Sequence, residues 1–322
     1  YMRRIFCKTQ MPQEIPENLA ADIRVQVLLS SYNGEKYIAE QIESIQRQQG
    51  VKAELLIRDD GSADRTLEII QDYAENNSNI CYYKGRNIGV QHSFFDLMAH
   101  ADRTADYYAF ADQDDVWLPD KLQRAVSLLQ GCADADRPLL YAGGLIYADE
   151  MLQHLKLVVH KRRKEASFGN ALIENICTGC TEVFNGKLLE MAAAHRPQCE
   201  ILHDWWMYLT ASCFGQVLYD QAAYIYYRQH DKNVVGMSGC RAGRWMRRLH
   251  HRSDLRGIVS RQTKDFCRAY RNLGSSRALA CEVLSYKKSW RHRIGILFEK
   301  RIYRQDWIDD LIYRVLFLLG FL

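Results

Sequence analysis

The chain has 322 residues, of which 48% are hydrophobic and 25% are charged, and its formal net charge is +4. This composition is typical of an ordinary folded protein and excludes a disordered chain, a collagen-like chain and a small disulfide scaffold. No run of about 18 consecutive apolar residues occurs, so the sequence predicts no transmembrane helix, and its polar N-terminus does not resemble a signal peptide. The CxxC pair of Cys177 and Cys180 has no second pair or nearby histidine to complete a zinc site, so we expect buried, reduced thiols of a cytosolic protein rather than a metal or redox site.

The charge is unevenly distributed and indicates three segments. Residues 1–22 are polar and weakly patterned, and we expect a loose leader there. Residues 23–238 are neutral to acidic and carry a regular alternation of strand and helix patterns. Residues 239–322 are basic, with 18 Lys or Arg against four acids between Arg241 and Arg304. Such a helical, basic extension predicts contact with an anionic partner.

Short apolar runs that end in polar turns alternate with helical patterns through the first part of the chain. We expect strands at 25–29, 53–57, 80–83 and 107–111, and helices at 35–48, after Ser62 as an N-cap, and at 93–101. This alternation predicts an α/β fold, with a mostly parallel central sheet flanked by helices. Further strands, which would complete the sheet, are expected at 139–147, near 177–184, at 217–219 and at 223–227.

Polar residues follow each of the first four expected strands. They are Ser30 and Tyr32, Asp59 and Asp60, Arg86 and Asn87, and the run 112–115. Parallel sheets bind ligands at the carboxyl ends of their strands, so these residues predict a single site. No GxGxxG turn opens a helix here, which argues against a dinucleotide-binding fold.

Asp112, Asp114 and Asp115 place three carboxylates within four residues. Carboxylates this close repel one another unless a cation or hydrogen-bond donors neutralise them. Mg²⁺ and Mn²⁺ prefer such oxygen ligands and can also hold a diphosphate. The alternative is an acidic helix start in which Asp115 or Asp120 interacts with the helix dipole. The spacing alone does not decide between the two.

Two later segments carry residues suited to group transfer. Asp204 stands beside Trp205 and Trp206, so it could act as a base next to flat apolar surface for a sugar ring, or it could cap a helix whose tryptophans are core. Arg228 and His230 follow an expected strand. Arg228 could contact a phosphate, and His230 could bind a metal or a phosphate, although a lone histidine is more often structural.

Taken together, these segments resemble the family-2 inverting glycosyltransferases of the GT-A fold. The matching runs, in order, are Val27–Gly34 (VLLSSYNG), Arg58–Thr66 (RDDGSADRT), Asn87–Gly89 (NIG) and Phe110–Leu122 (FADQDDVWLPDKL). His203–Trp205 (HDW) is similar to that family's catalytic-base segment, and Tyr227–His230 (YRQH) is similar to its late histidine motif. The resemblance covers roughly residues 24–235.

The resemblance implies a metal-dependent transfer of a sugar from a nucleotide-sugar donor, with inversion and with Asp204 as the base. It implies that Asp114 and His230 bind Mg²⁺ or Mn²⁺. The adjacent Asp115 could take the place of Asp114 as the metal ligand, or it could cap the helix that follows. Donor contacts are implied for Ser30, Tyr32, Asp59 or Asp60, Arg86, Asn87, Asp112, Gln113 and Arg228. The acceptor side would be lined by Trp117, Trp205 and Trp206.

The runs Asp112–Trp117 (DQDDVW) and Tyr227–Gly236 (YRQHDKNVVG) are similar to bacterial rhamnosyltransferases that build surface polysaccharides. This implies dTDP-L-rhamnose as donor and a glycan or lipid-linked acceptor, with a UDP-hexose donor as the alternative. A nucleotidyltransferase would need a Gly-rich basic loop after the first strand, where this chain has Ser30 to Asn33. A non-catalytic scaffold of a polysaccharide assembly complex is the other rival, and the complete set of motif carboxylates argues against it.

The C-terminal extension carries arginines at helical spacing with interleaved tryptophan and leucine from Arg241 onward. The tail 311–322 is very apolar but too short to span a bilayer. Helices of this kind lie in the membrane interface, so we expect a cytoplasmic enzyme attached to the inner face of a bacterial cell membrane. The alternatives are an ordinary helical subdomain and a homo-oligomer interface. No nucleic-acid-binding motif accompanies the basic residues.

Overall fold

The computed structural model describes residues 22–134, 136–153, 156–158, 164–199, 201–229 and 257–322. The strands are β1 (Arg24–Ser31), β2 (Lys52–Asp59), β3 (Ile80–Lys84), β4 (Tyr107–Asp112), β5 (Val116–Trp117), β6 (Leu139–Ala148), β7 (Lys156–Val158), β8 (Val183–Asn185) and β9 (Gln216–Arg228). The helices are α1 (Ile38–Gln46), α2 (Thr66–Asn76), α3 (Val90–His100), α4 (Lys121–Gln130), α5 (Phe168–Ala171), α6 (Gly186–Ala193), α7 (His203–Phe214), α8 (Ile258–Ala269), α9 (Arg277–Ser285), α10 (Trp290–Phe298) and α11 (Trp307–Leu319).

The strands pair into one sheet in the order β3-β2-β1-β4-β8-β6-β9-β5, and β7 also pairs with β6. The four neighbours β3, β2, β1 and β4 are all parallel, as their βαβ connections require. β8 is antiparallel to both β4 and β6, whereas β6 and β9 are parallel. The α/β fold with a mostly parallel sheet, predicted from the alternation of strand and helix patterns, is therefore confirmed.

The long strand β9 replaces the two short strands predicted at 217–219 and 223–227, so that prediction was wrong. The pairing of β9 with β6 shifts register between Tyr219 and Ala223, where extra residues of β9 form a bulge. Polar residues at the bulge look like a turn in the sequence. One of them, Asp220, instead forms an ion pair with Arg124 at 2.8 Å.

The predicted N-cap role of Ser62 was also wrong, because α2 begins at Thr66. The hydroxyl of Ser62 donates to the carboxylate of Asp59 at 2.5 Å and so belongs to the turn after β2. The carboxylate of Asp64 accepts the backbone N–H of Thr66 at 3.0 Å and supplies the acceptor that we had expected from Ser62.

Helices cover both faces of the sheet, as the alternation of buried residues along each strand requires. In β1, Val25, Val27 and Leu29 pack on the face covered by α1, α2 and α4. Leu28 points to the opposite face, where it joins a cluster with Phe94 of α3 and residues of α5, α6 and α7. The polar ends of the strands are therefore held by a core on each side.

The C-terminal helices pack onto the same core as α3 and α7. Val259, Phe266, Tyr286 and Phe317 belong to one buried cluster with Trp206. The helical character predicted for the C-terminal extension is thus confirmed for residues 257–322. The arginines between Arg241 and Arg256, and most of the predicted leader, lie outside the described residues. No helix in the described ranges is both long enough and apolar enough to cross a membrane.

Candidate active site

The carboxyl ends of β1, β2 and β4 bring the predicted polar residues side by side. Ser30 lies opposite Asp112 in the β1–β4 register, and Ser31 lies opposite Asp59 in the β1–β2 register. The hydroxyl of Ser30 is 2.6 Å from the hydroxyl of Ser93, at the start of α3. The strand ends therefore meet at one edge of the sheet, as the chain order of the motifs predicted.

The turns after β1 and β2 are joined by hydrogen bonds through Asn33. Its side-chain oxygen accepts the backbone N–H of Ala63 at 2.9 Å, and its own backbone N–H donates to the hydroxyl of Ser62 at 2.9 Å. Asn33 has a φ of 48°, in the left-handed region that asparagine tolerates better than most residues. Tyr32, on the strand side of this turn, leaves 47% of its surface exposed and can face a ligand.

Asp60 is used within the protein to hold the loop after β3. Its carboxylate accepts the backbone N–H groups of Ile88 at 2.8 Å and Gly89 at 2.9 Å, and it forms a buried ion pair with Arg58 at 2.5 Å. Arg58 also donates to the carbonyl of Arg86 at 3.1 Å. Of the two aspartates implied for the nucleoside, Asp60 therefore shapes the Arg86–Asn87 loop. Asp59 is also fully buried, and its carboxylate accepts the backbone N–H and the hydroxyl of Ser62.

The sequence did not single out Arg58 as a site residue, although it organises this corner. It is 3% exposed, and it also pairs with Asp96 of α3 at 3.0 Å. The signal was present in the sequence, because an arginine near the end of a buried parallel strand needs acceptors around it.

Gln113 closes the gap between the acidic loop and the turn after β1. Its side-chain oxygen accepts the backbone N–H of Tyr32 at 2.8 Å, and its side-chain nitrogen donates to the carbonyl of Tyr32 at 3.0 Å. A Cβ at Gly34 would lie 2.2 Å from the Gln113 oxygen, so the Gln113 side chain keeps this position only beside a glycine. Gln113 thus fixes the loop in this structure, and the donor contact implied for it would require these hydrogen bonds to open.

The acidic loop and Asp204 lie close enough to influence one another. Desolvation raises the pKa of the Asp112 carboxyl to about 7, and the charges of Asp114 and Asp204 act in the same direction. The carboxylates of Asp112, at the end of β4, and of Asp204, at the start of α7, therefore lie near enough to interact, although they are far apart in the chain. Such mutual destabilisation is relieved by a cation, by a proton or by donors on a ligand.

Asp115 does not cap the following helix, so that expectation was wrong. α4 begins only at Lys121, with β5 in between, and Asp115 is fully buried. Its carboxylate accepts the backbone N–H of Arg228 at 3.4 Å, and burial raises its pKa well above the usual range. Asp115 therefore links the acidic loop to β9.

Asp112, Asp115 and Cys180 form a group whose potential ligand atoms lie within 4.8 Å of one another. The carboxylates, with Asp114 beside them, fit Mg²⁺ or Mn²⁺, which prefer oxygen ligands. Burial and the charge of Asp115 raise the pKa of the Cys180 thiol, so it is a neutral, soft group that such ions do not favour. Cys177 and Cys180 are both buried, as the sequence predicted.

Arg228 is committed to the protein rather than to a phosphate, which corrects the role implied for it. The side chain is buried and forms an ion pair with Glu40 of α1. It donates to the carbonyl of Asp114 at 2.9 Å and to that of Glu150, and its guanidinium lies 4.8 Å from the ring centre of Tyr37. These contacts hold the backbone of the acidic loop against α1.

Asp204 lies in the first turn of α7, with 9% of its surface exposed. Its carboxylate accepts the backbone N–H of Gly179 at 3.2 Å and that of Trp205 at 2.6 Å. Burial raises the pKa of Asp204 to about 6, and these hydrogen bonds limit the rise. An oriented carboxylate with a pKa just below neutrality can accept a proton at physiological pH.

Two buried titratable groups beside Asp204 were missed by the sequence analysis. Glu182 is fully buried, and neither of its carboxylate oxygens has a hydrogen-bond partner among the described residues. Burial, together with the charge of Asp204, raises the pKa of Glu182 well above its usual range. His203 stacks on Phe94 at 3.9 Å, and burial lowers its pKa to about 3, so it is neutral. Glu182 directly precedes β8, and no local pattern in the sequence marked it as buried.

Two of the tryptophans expected on the acceptor side are not available there, so those expectations were wrong. Trp206 is fully buried in the core beneath α7. Trp117 is 3% exposed, and the Lys121 ammonium lies 3.5 Å from its ring centre. Trp205 is partly exposed, and its indole N–H donates to the carbonyl of Ala171 at 2.6 Å. The metal-ligand role implied for His230 concerns a residue outside the described ranges.

Comparison with known proteins agrees with this geometry. Residues 26–180 match the sequence profile of the family described as glycosyl transferase family 2. The chain is 30% identical over 225 residues to the dTDP-rhamnosyl transferase RfbG of Shigella flexneri, which covers 65% of this chain and 73% of that protein.

Two solved structures share the fold at low sequence identity. TarS of S. aureus in complex with UDP-GlcNAc superposes with a TM-score of 0.57 at 16% identity, covering 92% of this chain and 82% of that one. The mannosyltransferase PcManGT from Pyrobaculum calidifontis in complex with GDP-Man and Mn²⁺ superposes with a TM-score of 0.50 at 16% identity, covering 96% and 90%. These likenesses confirm the GT-A fold, and the sequence matches show that the chain belongs to glycosyl transferase family 2.

Proposed function

We propose that the chain is an inverting glycosyltransferase that transfers L-rhamnose from dTDP-L-rhamnose to a glycan or lipid-linked acceptor in bacterial cell-surface polysaccharide synthesis. One observation carries the catalytic part of this proposal. The buried carboxylate of Asp204 lies near Asp112, at the edge of the sheet where β1, β2 and β4 end. A base and a donor site in one pocket are what a single displacement requires.

Asp204 takes the proton from the acceptor hydroxyl. As the acceptor oxygen forms its bond to the anomeric carbon, the bond from that carbon to the diphosphate breaks, and the nucleoside diphosphate leaves from the opposite face. The proton ends on the Asp204 carboxyl. The N–H donors of Gly179 and Trp205 hold the carboxylate in place, so little reorganisation is needed before the transfer.

The donor is held by residues from the strand ends. Ser30 and Tyr32 contact the nucleoside, and the buried Asp59 holds the adjoining turn through Ser62. Asn87 and Arg86 lie beside the nucleotide, on a loop held by Asp60. Asp112 faces the ribose or the transferred sugar. Tyr32 supports this role because its ring is exposed next to the turn. Trp205 is the remaining tryptophan that can border the acceptor.

A divalent cation is part of the proposal. Asp114, beside Asp112, and His230 would hold Mg²⁺ or Mn²⁺. When bound, the ion would offset the negative charge of the diphosphate. The crowding that raises the pKa of Asp112 supports this role, as does the Mn²⁺ bound to the structural relative PcManGT.

The likeness to a dTDP-rhamnosyl transferase supports rhamnose as the donor sugar. A UDP-hexose donor is the second candidate, because TarS binds UDP-GlcNAc on the same fold. A panel of dTDP-rhamnose, UDP-glucose, UDP-galactose and UDP-GlcNAc, assayed for transfer to membrane extract of a polysaccharide-producing bacterium, separates the two. We expect dTDP-rhamnose to be turned over at least about tenfold faster than any UDP-sugar, which corresponds to about 1.4 kcal/mol of discrimination. Equal or faster turnover of a UDP-sugar would exclude the rhamnose donor.

A non-catalytic scaffold remains the rival from another class of protein. The orientation of the Asp204 carboxylate by two backbone N–H groups speaks against it, because a scaffold does not need an oriented carboxylate of raised pKa. We place the catalytic domain at residues 23–238 and the helical extension at 239–322, and we propose that the extension keeps the enzyme on the cytoplasmic face of the membrane.

A further inference from the structure

Exposed apolar side chains are concentrated in the C-terminal helices. Of the thirteen large hydrophobic residues that are exposed in the described part of the chain, nine lie between Leu284 and Leu319. Phe298 is 77% exposed and Trp290 is 66% exposed, which is unusual for residues of this size. Single exposed hydrophobic residues need no explanation, but a contiguous group marks an interaction surface.

Helices α10 and α11 lie antiparallel and side by side. The guanidinium of Arg293, near the start of α10, donates to the carbonyl of Leu318 near the end of α11 at 3.3 Å. At the other end of the pair, Arg314 of α11 donates to the carbonyl of Leu297 and, at 3.0 Å, to that of Ile302. These contacts join the two helices into one rigid unit.

The buried residues of the two helices face the protein core, and their exposed apolar residues face away from it. Ile296 of α10, and Tyr313 and Phe317 of α11, are buried. The exposed residues recur at helical spacing on the other side of each helix. We call them the apolar platform: Trp290, Ile294 and Phe298 of α10, with Leu311, Val315 and Leu318 of α11.

The exposed charges around the platform are mostly positive, because Glu299, next to Phe298, is paired with Arg301 at 2.6 Å. Lys287, Lys288 and Arg291 are exposed next to Trp290, and Lys300 is exposed just beyond Phe298. The acidic residues of α11 are turned towards the protein's own arginines. Asp310 pairs with Arg314 at 2.9 Å and accepts the backbone N–H of Arg304 at 2.7 Å, and Asp309 lies 3.9 Å from the Arg304 guanidinium.

We propose that the apolar platform docks onto an anionic lipid bilayer, with its side chains in the interface and the four cations against lipid phosphates. Tryptophan, leucine and phenylalanine between lysines and arginines are the composition that binds such surfaces. A second copy of this chain would bring the same cations together and is opposed by their repulsion. The inference deepens the proposed function and rests on it, because a lipid-linked acceptor would be presented at this surface.

The platform also explains why simple truncation is a poor test of membrane attachment. Tyr313, Phe317 and Leu322 are buried in the core, so removing α11 would unfold part of the protein. Point substitutions of the exposed residues avoid this problem. Two variants isolate the two contributions: Phe298→Ser with Leu311→Ser and Val315→Ser removes apolar surface, and Lys287→Glu with Lys288→Glu and Arg291→Glu reverses charge.

The test is co-sedimentation of the full chain with vesicles of phosphatidylcholine, with or without an equal part of phosphatidylglycerol. We expect wild type to sediment with the anionic vesicles and the apolar variant to partition at least about tenfold more weakly. The charge variant should lose roughly fivefold per reversed charge on anionic vesicles only. Met151→Ser, at a residue 75% exposed elsewhere, and Lys187→Glu are matched controls that should bind like wild type.

Three results would overturn the proposal. The first is wild type that stays in the supernatant with anionic vesicles, and the second is an apolar variant that sediments as wild type does. The third is a wild-type dimer in sedimentation velocity that becomes monomeric in the apolar variant while vesicle binding is absent, which would assign the platform to a second copy. Binding of dTDP, measured by thermal shift on the same samples, should be unchanged in every variant. If dTDP does not bind while vesicle binding is normal, the result would count against the proposed function and not against the role of the platform.

Discussion

The backbone N–H of Gly179 donates to the carboxylate of Asp204 at 3.2 Å and joins the turn before β8 to the first turn of α7. Residues that are 25 positions apart thus meet where the base must be held. Gly179 also leaves room for the imidazole of His203, the residue before Asp204. The position of the base therefore depends on the absence of a side chain at residue 179.

Gly179→Ala should lower activity without weakening donor binding. A Cβ at this position would lie 2.7 Å from Nε2 of His203, which is buried and stacked on Phe94, so we expect the start of α7 to shift. Since a displacement of about 1 Å can cost around a hundredfold in rate, we expect kcat to fall by about tenfold to a hundredfold while the Kd for dTDP stays within about twofold. Gly295→Ala is the matched control, because a Cβ there meets nothing within 4 Å. Equal kcat values for Gly179→Ala and wild type would contradict this account of Asp204.

The pH dependence of activity should report the protonation of Asp204. Burial raises its pKa from 3.8 to about 6, and only the ionised form can accept a proton. We expect kcat/KM to be level above pH 6 and to fall about tenfold per pH unit below it. Because the pKa is raised in the folded protein, Asp204 contributes most to stability below pH 4, and this contribution is lost as the pH rises through 6. A kcat/KM that stays level down to pH 5 would show that another group is the base.

Glu182→Gln should make the protein more stable at alkaline pH. Burial raises the pKa of Glu182, so its contribution to stability is present at low pH and is lost as pH rises through that value. Glutamine cannot ionise, and each pH unit of such a shift is worth about 1.4 kcal/mol in the free energy of unfolding. Urea unfolding at pH 5 and at pH 8 measures this effect. The advantage of the variant should grow with pH, and an advantage that shrinks with pH would mean that Glu182 is ionised and paired in the folded protein.

Arg228 should couple to Glu40 in stability rather than to the donor phosphates. A double-mutant cycle with Arg228→Met and Glu40→Gln should give a coupling of about 0.5 to 1 kcal/mol in the free energy of unfolding, because the guanidinium is buried while the Glu40 carboxylate is half exposed to solvent. Loss of Arg228 should weaken the binding of dTDP and thymidine by similar factors, since the whole loop moves. A selective loss of dTDP binding, with a coupling energy near zero, would mean that Arg228 contacts the donor phosphates instead.

The sheet could be predicted because its signals are local. Each of β1 to β4 is a short apolar run closed by polar turn residues, and the pairing of Ser30 with Asp112 follows from the parallel order. The helix start at Thr66 was missed because Ser62 and Asp64 are both good capping residues. The choice between them depends on Asp59, which binds the Ser62 hydroxyl.

The side-chain roles depend on contacts that the sequence does not show. Arg228 and Glu40 are 188 positions apart, so no local pattern could assign the guanidinium to α1 rather than to a ligand. Trp205 and Trp206 are adjacent on α7 and point in different directions, and only the packing decides that Trp206 is buried. Glu182 was hidden because a single charged residue next to an apolar strand reads as an outward-facing position.

The most direct test of the central claim is the rate of sugar transfer by Asp204→Asn, with the Kd for dTDP measured on the same protein. We expect the rate to fall by about a hundredfold to ten-thousandfold, the range that general base catalysis supplies, while the Kd stays within about twofold. Asp265→Asn is the matched control, because the Asp265 carboxylate also accepts two backbone N–H groups, at 3.1 and 2.6 Å, but belongs to α8. Transfer by Asp204→Asn at the wild-type rate would contradict the assignment of Asp204 as the base.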